Sequence, residues 1–123
     1  MAKVLFLDDS EDRIDRAKKF HGKYNDNVHY CKTATEAIEA LKNSEFDVIK
    51  LDHDLGGEVF VDSFREDCGM EVVRWMCDNY KYKNVLIVVH TWNIEAGKEM
   101  SKKLVDSGFT SVSRVPFGYE GIL

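Results

Sequence analysis

The stretch Phe46-Asp47-Val48-Ile49-Lys50-Leu51-Asp52-His53-Asp54-Leu55-Gly56-Gly57 decides the fold. A mostly apolar run ends abruptly in Asp-His-Asp and then in two glycines. It reads as a buried strand over Asp47 to Leu51 whose tip delivers charged groups into a crevice. Open parallel sheets bind their ligands at such a crevice, beyond the carboxyl ends of the strands. Three titratable side chains in succession are costly to bury unless they are paired or bound to a metal. They are therefore either a site or solvated loop residues, with Asp52 and Asp54 capping the next turn.

The flanking segments alternate between strand and helix. Lys3 to Leu7 is near-continuous in Val, Leu and Phe and ends in Asp8-Asp9-Ser10, a first buried strand. A helix is expected from Glu11 to His21, with Ile14, Ala17 and Phe20 facing inward and Gly22 closing it. Val28 to Cys31, carrying His29 and Tyr30, reads as a short edge strand. Thr33-Ala34-Thr35-Glu36 is a capping box, and the helix it opens runs to Asn43 with Ala34, Ala37, Ile38 and Leu41 buried.

After the third strand comes the longest irregular stretch, Asp54 to Cys68, in which Val59, Phe60, Val61 and Phe64 suggest a packed flap. Gly69 to Tyr80 is a helix with Met70, Val73, Met76, Cys77 and Tyr80 as its stripe and Trp75 in the core or at its rim. Val85 to Val89 is the most apolar strand and belongs at the centre; it ends in His90-Thr91-Trp92-Asn93. A last helix spans Ile94 to Ser107, closed by Gly108, and Ser111 to Val115 alternates polar and apolar residues as an edge strand does. This alternation gives an α/β class with a doubly wound, five-stranded parallel sheet of order 2-1-3-4-5.

Composition narrows the function classes. The 123 residues suit one domain over positions 1–123, and no apolar run approaches membrane-spanning length. The short apolar N-terminus ends in acids, unlike a secretory signal. Three cysteines without a Cys-x-x-Cys pair fit reduced thiols in the cytoplasm. A net charge of −5 opposes tight, non-specific binding along a nucleic-acid backbone, while leaving recognition of one terminal phosphate open.

The strand tips collect a constellation on one sheet edge: Asp8 and Asp9, then Asp52, His53 and Asp54, then His90, Thr91 and Asn93, then Arg114. Of the acid pair, one is read as a metal ligand or orienting acid and the other as a helix cap. His53 alternates with Asp52 and has a structural or a catalytic role; Asp54 points back with Asp52 and suits a histidine partner. Asn93 either donates to a phosphate or caps the fourth helix, roles that combine at a helix N-terminus. Arg114 is a phosphate clamp or a solvated edge residue. His21 and His29 read as surface residues.

An acid pair after strand one and an aspartate ending strand three resemble the receiver domain of response regulators. That resemblance implies a magnesium site on Asp8, Asp9 and Asp52, with Asp52 as phosphoacceptor. The family usually has Thr or Ser where His90 stands and Lys where Val115 stands before Pro116, and its fifth helix is not expected in these 123 residues. Leu51-Asp52-His53-Asp54-Leu55-Gly56, Gly69-Met70-Glu71-Val72-Val73-Arg74-Trp75 and Val89-His90-Thr91-Trp92-Asn93, with Gly97 and Met100, resemble a derived receiver family proposed to process cyclic phosphates on RNA ends. Thr91, Trp92 and Ile94 stand where that family has Ser, Ala and Pro.

The resemblance implies a phosphoesterase-type enzyme, a hydrolase. His90, Asp52, Asp54 and His53 would be its acid–base groups, and Thr91, Asn93 and Arg114 would hold the phosphate. It requires no metal, although the acid pocket can take magnesium. The rival reading is a non-enzymatic signalling or binding module, phosphorylated on Asp52 or only docking a partner. Two further expectations follow. His90, at a strand tip, contributes little core. Strands three and four are apolar on both faces, so the tail, with Phe117 and Tyr119, folds back over one face and a second copy completes the cover as a homodimer.

Overall fold

A computed structural model describes residues 2–55, 65–91 and 93–115. The chain runs β1 (Lys3–Leu7), α1 (Glu11–Lys23), β2 (Asn27–Cys31), α2 (Ala34–Asn43), β3 (Val48–Leu51), α3 (Gly69–Asn79), β4 (Leu86–His90), α4 (Ile94–Asp106) and β5 (Ser111–Val115). All strand pairs are parallel, in the order β2-β1-β3-β4-β5. Class, strand order and edge strands are as the sequence implies. No helix among the described residues is long and apolar enough to cross a membrane. Most of the segment after Leu55, with Gly56, Gly57, Val59, Phe60, Val61 and Phe64, lies outside the described residues, as do Trp92 and the tail from Pro116 with Phe117 and Tyr119.

Local chemistry starts the helices. Ser10 caps α1, its hydroxyl accepting from the Arg13 amide at 3.4 Å. Thr33 caps α2 by accepting from the Glu36 amide at 3.1 Å. Glu36 completes a shifted capping box, its carboxylate accepting from the Lys32 amide and the Thr33 hydroxyl, both at 3.2 Å. Asn93 caps α4, accepting from the Ala96 amide at 3.1 Å. Gly108, at φ 100°, closes α4 as expected. Gly22 does not close α1: the helix continues to Lys23, and Asn25 takes the left-handed conformation at φ 55°. Asparagine tolerates that region well enough to replace glycine in ending a helix.

The main core lies on one face of the sheet. Leu5, Leu7, Ile49, Leu51, Ile87 and Val89 pack there against Ala37 and Leu41 of α2, Val73 and Met76 of α3, and Met100 and Leu104 of α4. Full burial of each such Leu, Ile or Met contributes about 1.5–3 kcal/mol, so this face carries most of the stability. The opposite face, under α1, holds a small cluster of Phe6, Ile14 and Ala17, edged by Val28 and Tyr30.

That second face departs from the expected apolar surface. Strand alternation places Val48, Lys50 and Asp52 on it from β3, and Leu86, Val88 and His90 from β4. Lys50 is buried, with Nζ 2.9 Å from His21 Nε2 and 5.2 Å from the Phe20 ring centroid. His21 is therefore buried, not a surface residue; its Nδ1 lies 2.8 Å from Asp26 Oδ2. It falls one turn after Ala17 on the inner stripe of α1. His29, on the edge strand, is exposed as expected.

Candidate functional site

The tips of β1, β3 and β4 converge above the α1 face. Asp8 closes β1, with its amide donating to the Cys31 carbonyl at 3.0 Å. Asp52 closes β3, with its amide donating to the Leu7 carbonyl at 3.1 Å. These ladder bonds fix both carboxylates on adjacent strands. Asp8 Oδ1 accepts from the Ser10 amide at 2.9 Å, and Asp52 Oδ1 accepts from the His53 amide at 2.8 Å. Thr91, at the start of the β4–α4 turn, lies near enough to the Asp52 carboxylate to favour its charged form. Both acids are buried, which raises their pKa values, and the charge of Asp8 raises that of Asp52 further.

A residue not singled out from the sequence balances them. Arg13, in the first turn of α1, reaches across both strand tips. Its Nε lies 2.9 Å from Asp8 Oδ2 and its Nη2 lies 3.4 Å from Asp52 Oδ2. The first is an ion contact, too bent for an aligned hydrogen bond. The sequence held a signal for it. A cation in the first turn of a helix opposes the helix dipole, so Arg13 needs another reason to be there.

Asp8, Asp9 and Asp52 each offer a carboxylate oxygen, and the three oxygens lie within 4.8 Å of one another. Hard oxygen donors at that spacing suit a magnesium ion. The residues present therefore fit a divalent cation.

His90 belongs to this cluster. Its ring is 1% exposed and stacks on Phe6, with centroids 5.1 Å apart and planes at 16°. His90 therefore contributes to the packing under α1, contrary to the expectation for a strand tip. Its Nδ1 lies 3.6 Å from Asp8 Oδ2, beyond hydrogen-bond length. The Lys50 main chain approaches the ring, yet neither nitrogen makes an aligned hydrogen bond among the described residues. Burial, followed by the charges of Arg13 and Lys50, pushes its pKa down to about 3. The ring is neutral at physiological pH, rather than titrating near it.

The other expected residues separate from this cluster. His53 is buried with Nδ1 2.8 Å from Asp54 Oδ1, so the histidine that Asp54 orients is His53 and not His90. His53 also hydrogen-bonds Cys68, the N-cap of α3. Burial alone would lower the His53 pKa, but Cys68 and Asp54 outweigh it and raise it. Burial would raise the Cys68 thiol, but His53 and the amides of Met70 and Glu71 bring it down. Asn93 spends its side-chain oxygen on the α4 cap, and its amide donates to Thr91 Oγ1 at 3.2 Å. Arg114 is exposed and lines a cavity of about 310 Å³ with Thr91, Ile94, Gly97 and Val115. Thr91 is thus the wall shared by the acidic cluster and that cavity.

Comparison with known proteins bears on the fold and the family. Residues 3–106 match the family model of the cyclic-phosphate processing receiver domain. No curated protein matches the chain. Among solved structures, chemotaxis protein CheY4 of Vibrio cholerae has a TM-score of 0.72 at 21% identity, over 97% of this chain and 88% of that one. The response regulator TrrA of Thermotoga maritima, solved in complex with Mg(2+)-BeF, has a TM-score of 0.69 at 17% identity, over 97% and 89%. NtrX of Brucella abortus has a TM-score of 0.69 at 15% identity; 98% of this chain matches, spanning only 24% of NtrX. At these identities the likeness is one of fold. With the family model matched from β1 to the end of α4, the chain belongs to the cyclic-phosphate processing receiver domain family.

Proposed function

We propose that the domain binds a cyclic phosphate ester at the C-terminal edge of its sheet and hydrolyses it, with the 2′,3′-cyclic end of an RNA as substrate. The observation that carries this reading is His90, a buried imidazole without an aligned hydrogen-bond partner among the described residues, set 3.6 Å from Asp8 and beside the Arg13 bridge. Buried polar atoms without partners call for an explanation, and a phosphate oxygen or an attacking water supplies one. In the reaction, water attacks phosphorus and one ribose O–P bond breaks. One proton leaves the water and one reaches the departing alkoxide. In this reading His90 moves them, because an anion beside the ring offsets the positive charges that lower its basicity. Arg13 and the α4 amides counter the developing charge on phosphorus, and the cavity bounded by Thr91 and Arg114 holds the rest of the ligand.

The test is incubation with RNA ending in a 2′,3′-cyclic phosphate, followed by analysis of the terminus. Conversion to a phosphomonoester by wild type, reduced about 10²–10⁴-fold in His90→Gln, is the expected result. No conversion, with or without magnesium, rejects hydrolysis. The acid geometry favours one alternative, phosphorylation of Asp52 in a signalling receiver, because Asp8, Asp9 and Asp52 share a cation-sized pocket. A stable adduct after acetyl phosphate treatment, seen by intact mass on wild type and absent in Asp52→Asn, identifies that alternative.

A further inference from the structure

We infer that Arg13 is the built-in cation of the acidic centre, and that the guanidinium and a divalent metal ion are mutually exclusive occupants of it. This goes beyond the proposed reaction and holds whatever the ligand is. Arg13 reaches Asp8 Oδ2 at 2.9 Å and Asp52 Oδ2 at 3.4 Å. Both residues also belong to the carboxylate group whose oxygens lie within 4.8 Å of one another. A magnesium ion sits about 2.1 Å from its oxygens. An ion held by the Asp8 and Asp52 carboxylates would crowd the guanidinium already on them, and its charge would repel it. The planar fork of arginine spans two carboxylates on different strands, which a lysine ammonium cannot match.

The surroundings permit exchange. The Arg13 side chain is 16% exposed while the carboxylates of Asp8 and Asp52 are 0% and 2% exposed, so the arginine lies on the solvent side of the pair. It can leave without unpacking the sheet, because its own backbone stays fixed by the Ser10 cap. In the ion-free protein Arg13 spans the two buried acids, and metal uptake requires its departure. The acid pocket of this chain is therefore a self-satisfied centre with weak affinity for magnesium, although three carboxylates are grouped there.

The test is calorimetric titration of magnesium chloride into wild type, Arg13→Met and Arg13→Gln at constant ionic strength, with melting temperatures read alongside. The expected result is binding at least tenfold tighter in both variants than in wild type. Both variants should also melt lower than wild type without magnesium and recover with it, while wild type moves little. Equal affinity in all three proteins, tighter binding by wild type, or no magnesium binding by any of them overturns the inference. If a variant does not fold in ion-free buffer, folding restored by magnesium supports the inference and failure in both buffers overturns it.

Discussion

The ring of His90 lies almost parallel to that of Phe6, with centroids 5.1 Å apart and planes at 16°, and it is 1% exposed. A strand-tip residue is here part of the packing under α1. His90→Ala should therefore cost about 2–4 kcal/mol, as truncation of a buried side chain does. His90→Phe keeps the volume and removes two nitrogens that lack aligned partners, so it should stay within about 1 kcal/mol of wild type. Urea denaturation of the three proteins checks this. Equal stability of His90→Ala and wild type would mean that the ring is not packed as described.

The same ring sets part of the acid limb of stability. In the fold its pKa is pushed down to about 3, whereas an unfolded histidine titrates near 6.5. Between those values the unfolded chain binds the extra proton, so this contribution is present above about pH 6.5 and is lost as pH falls toward 3. The raised pKa values of Asp8 and Asp52 act in the opposite sense, contributing stability at low pH that fades as pH rises. The comparison that isolates His90 is wild type against His90→Phe across pH 4 to 7. The variant should show the smaller loss on acidification; identical slopes would show that the folded ring accepts the proton.

Two glycines should respond differently to the same methyl group. A Cβ on Gly69 would meet the Asp52 carbonyl oxygen at 1.9 Å, and a main-chain atom cannot step aside. Gly69→Ala should cost at least about 3 kcal/mol and displace the β3 tip, at the upper end of overpacking penalties. A Cβ on Gly97 would meet the Thr91 methyl at 3.1 Å and Arg114 Cδ at 3.4 Å, both on side chains. There the gain of about 1 kcal/mol from replacing a helical glycine offsets the crowding, and Gly97→Ala should be near neutral. Thermal melts decide between these outcomes. Equal costs would show that the β3–α3 approach is looser than the structure has it.

Much of this is legible in the sequence because the signals are periodic and local. Apolar runs ending in acids mark β1 and β3, Thr33 and Glu36 mark the start of α2, and the polar alternation of Ser111 to Val115 marks an edge. What is not legible depends on long-range geometry. Arg13 becomes part of the site only because α1 packs back over two strand tips. His53 and Asp54 satisfy each other, which diverts Asp54 from His90. The face of β3 under α1 was expected to be apolar, yet alternation from Asp52 places Lys50 at its middle. The partner that makes such a lysine tolerable, His21, lies on a helix 29 residues away in sequence.

Lys50 also provides an electrostatic handle on the site from a distance. Its Nζ lies 2.9 Å from His21 Nε2, and His21 Nδ1 lies 2.8 Å from Asp26 Oδ2, so a buried lysine is linked through an imidazole ring to a carboxylate. Burial lowers the Lys50 pKa to about 8, opposed by Asp26; the side chain still carries most of its charge at pH 7. That charge is one of those that depress His90. Lys50→Met keeps the length and apolar stem and removes the charge. The change leaves the buried His21 Nε2 without its Lys50 partner, so it should cost about 1–3 kcal/mol. The His90 pKa should move upward, toward the ordinary histidine range, because burial and Arg13 remain but one repulsion is gone. Titration of the His90 ring protons by NMR in wild type and Lys50→Met reads this directly. An unmoved His90 would show that burial and Arg13 alone set its basicity, and that Lys50 serves only to satisfy His21.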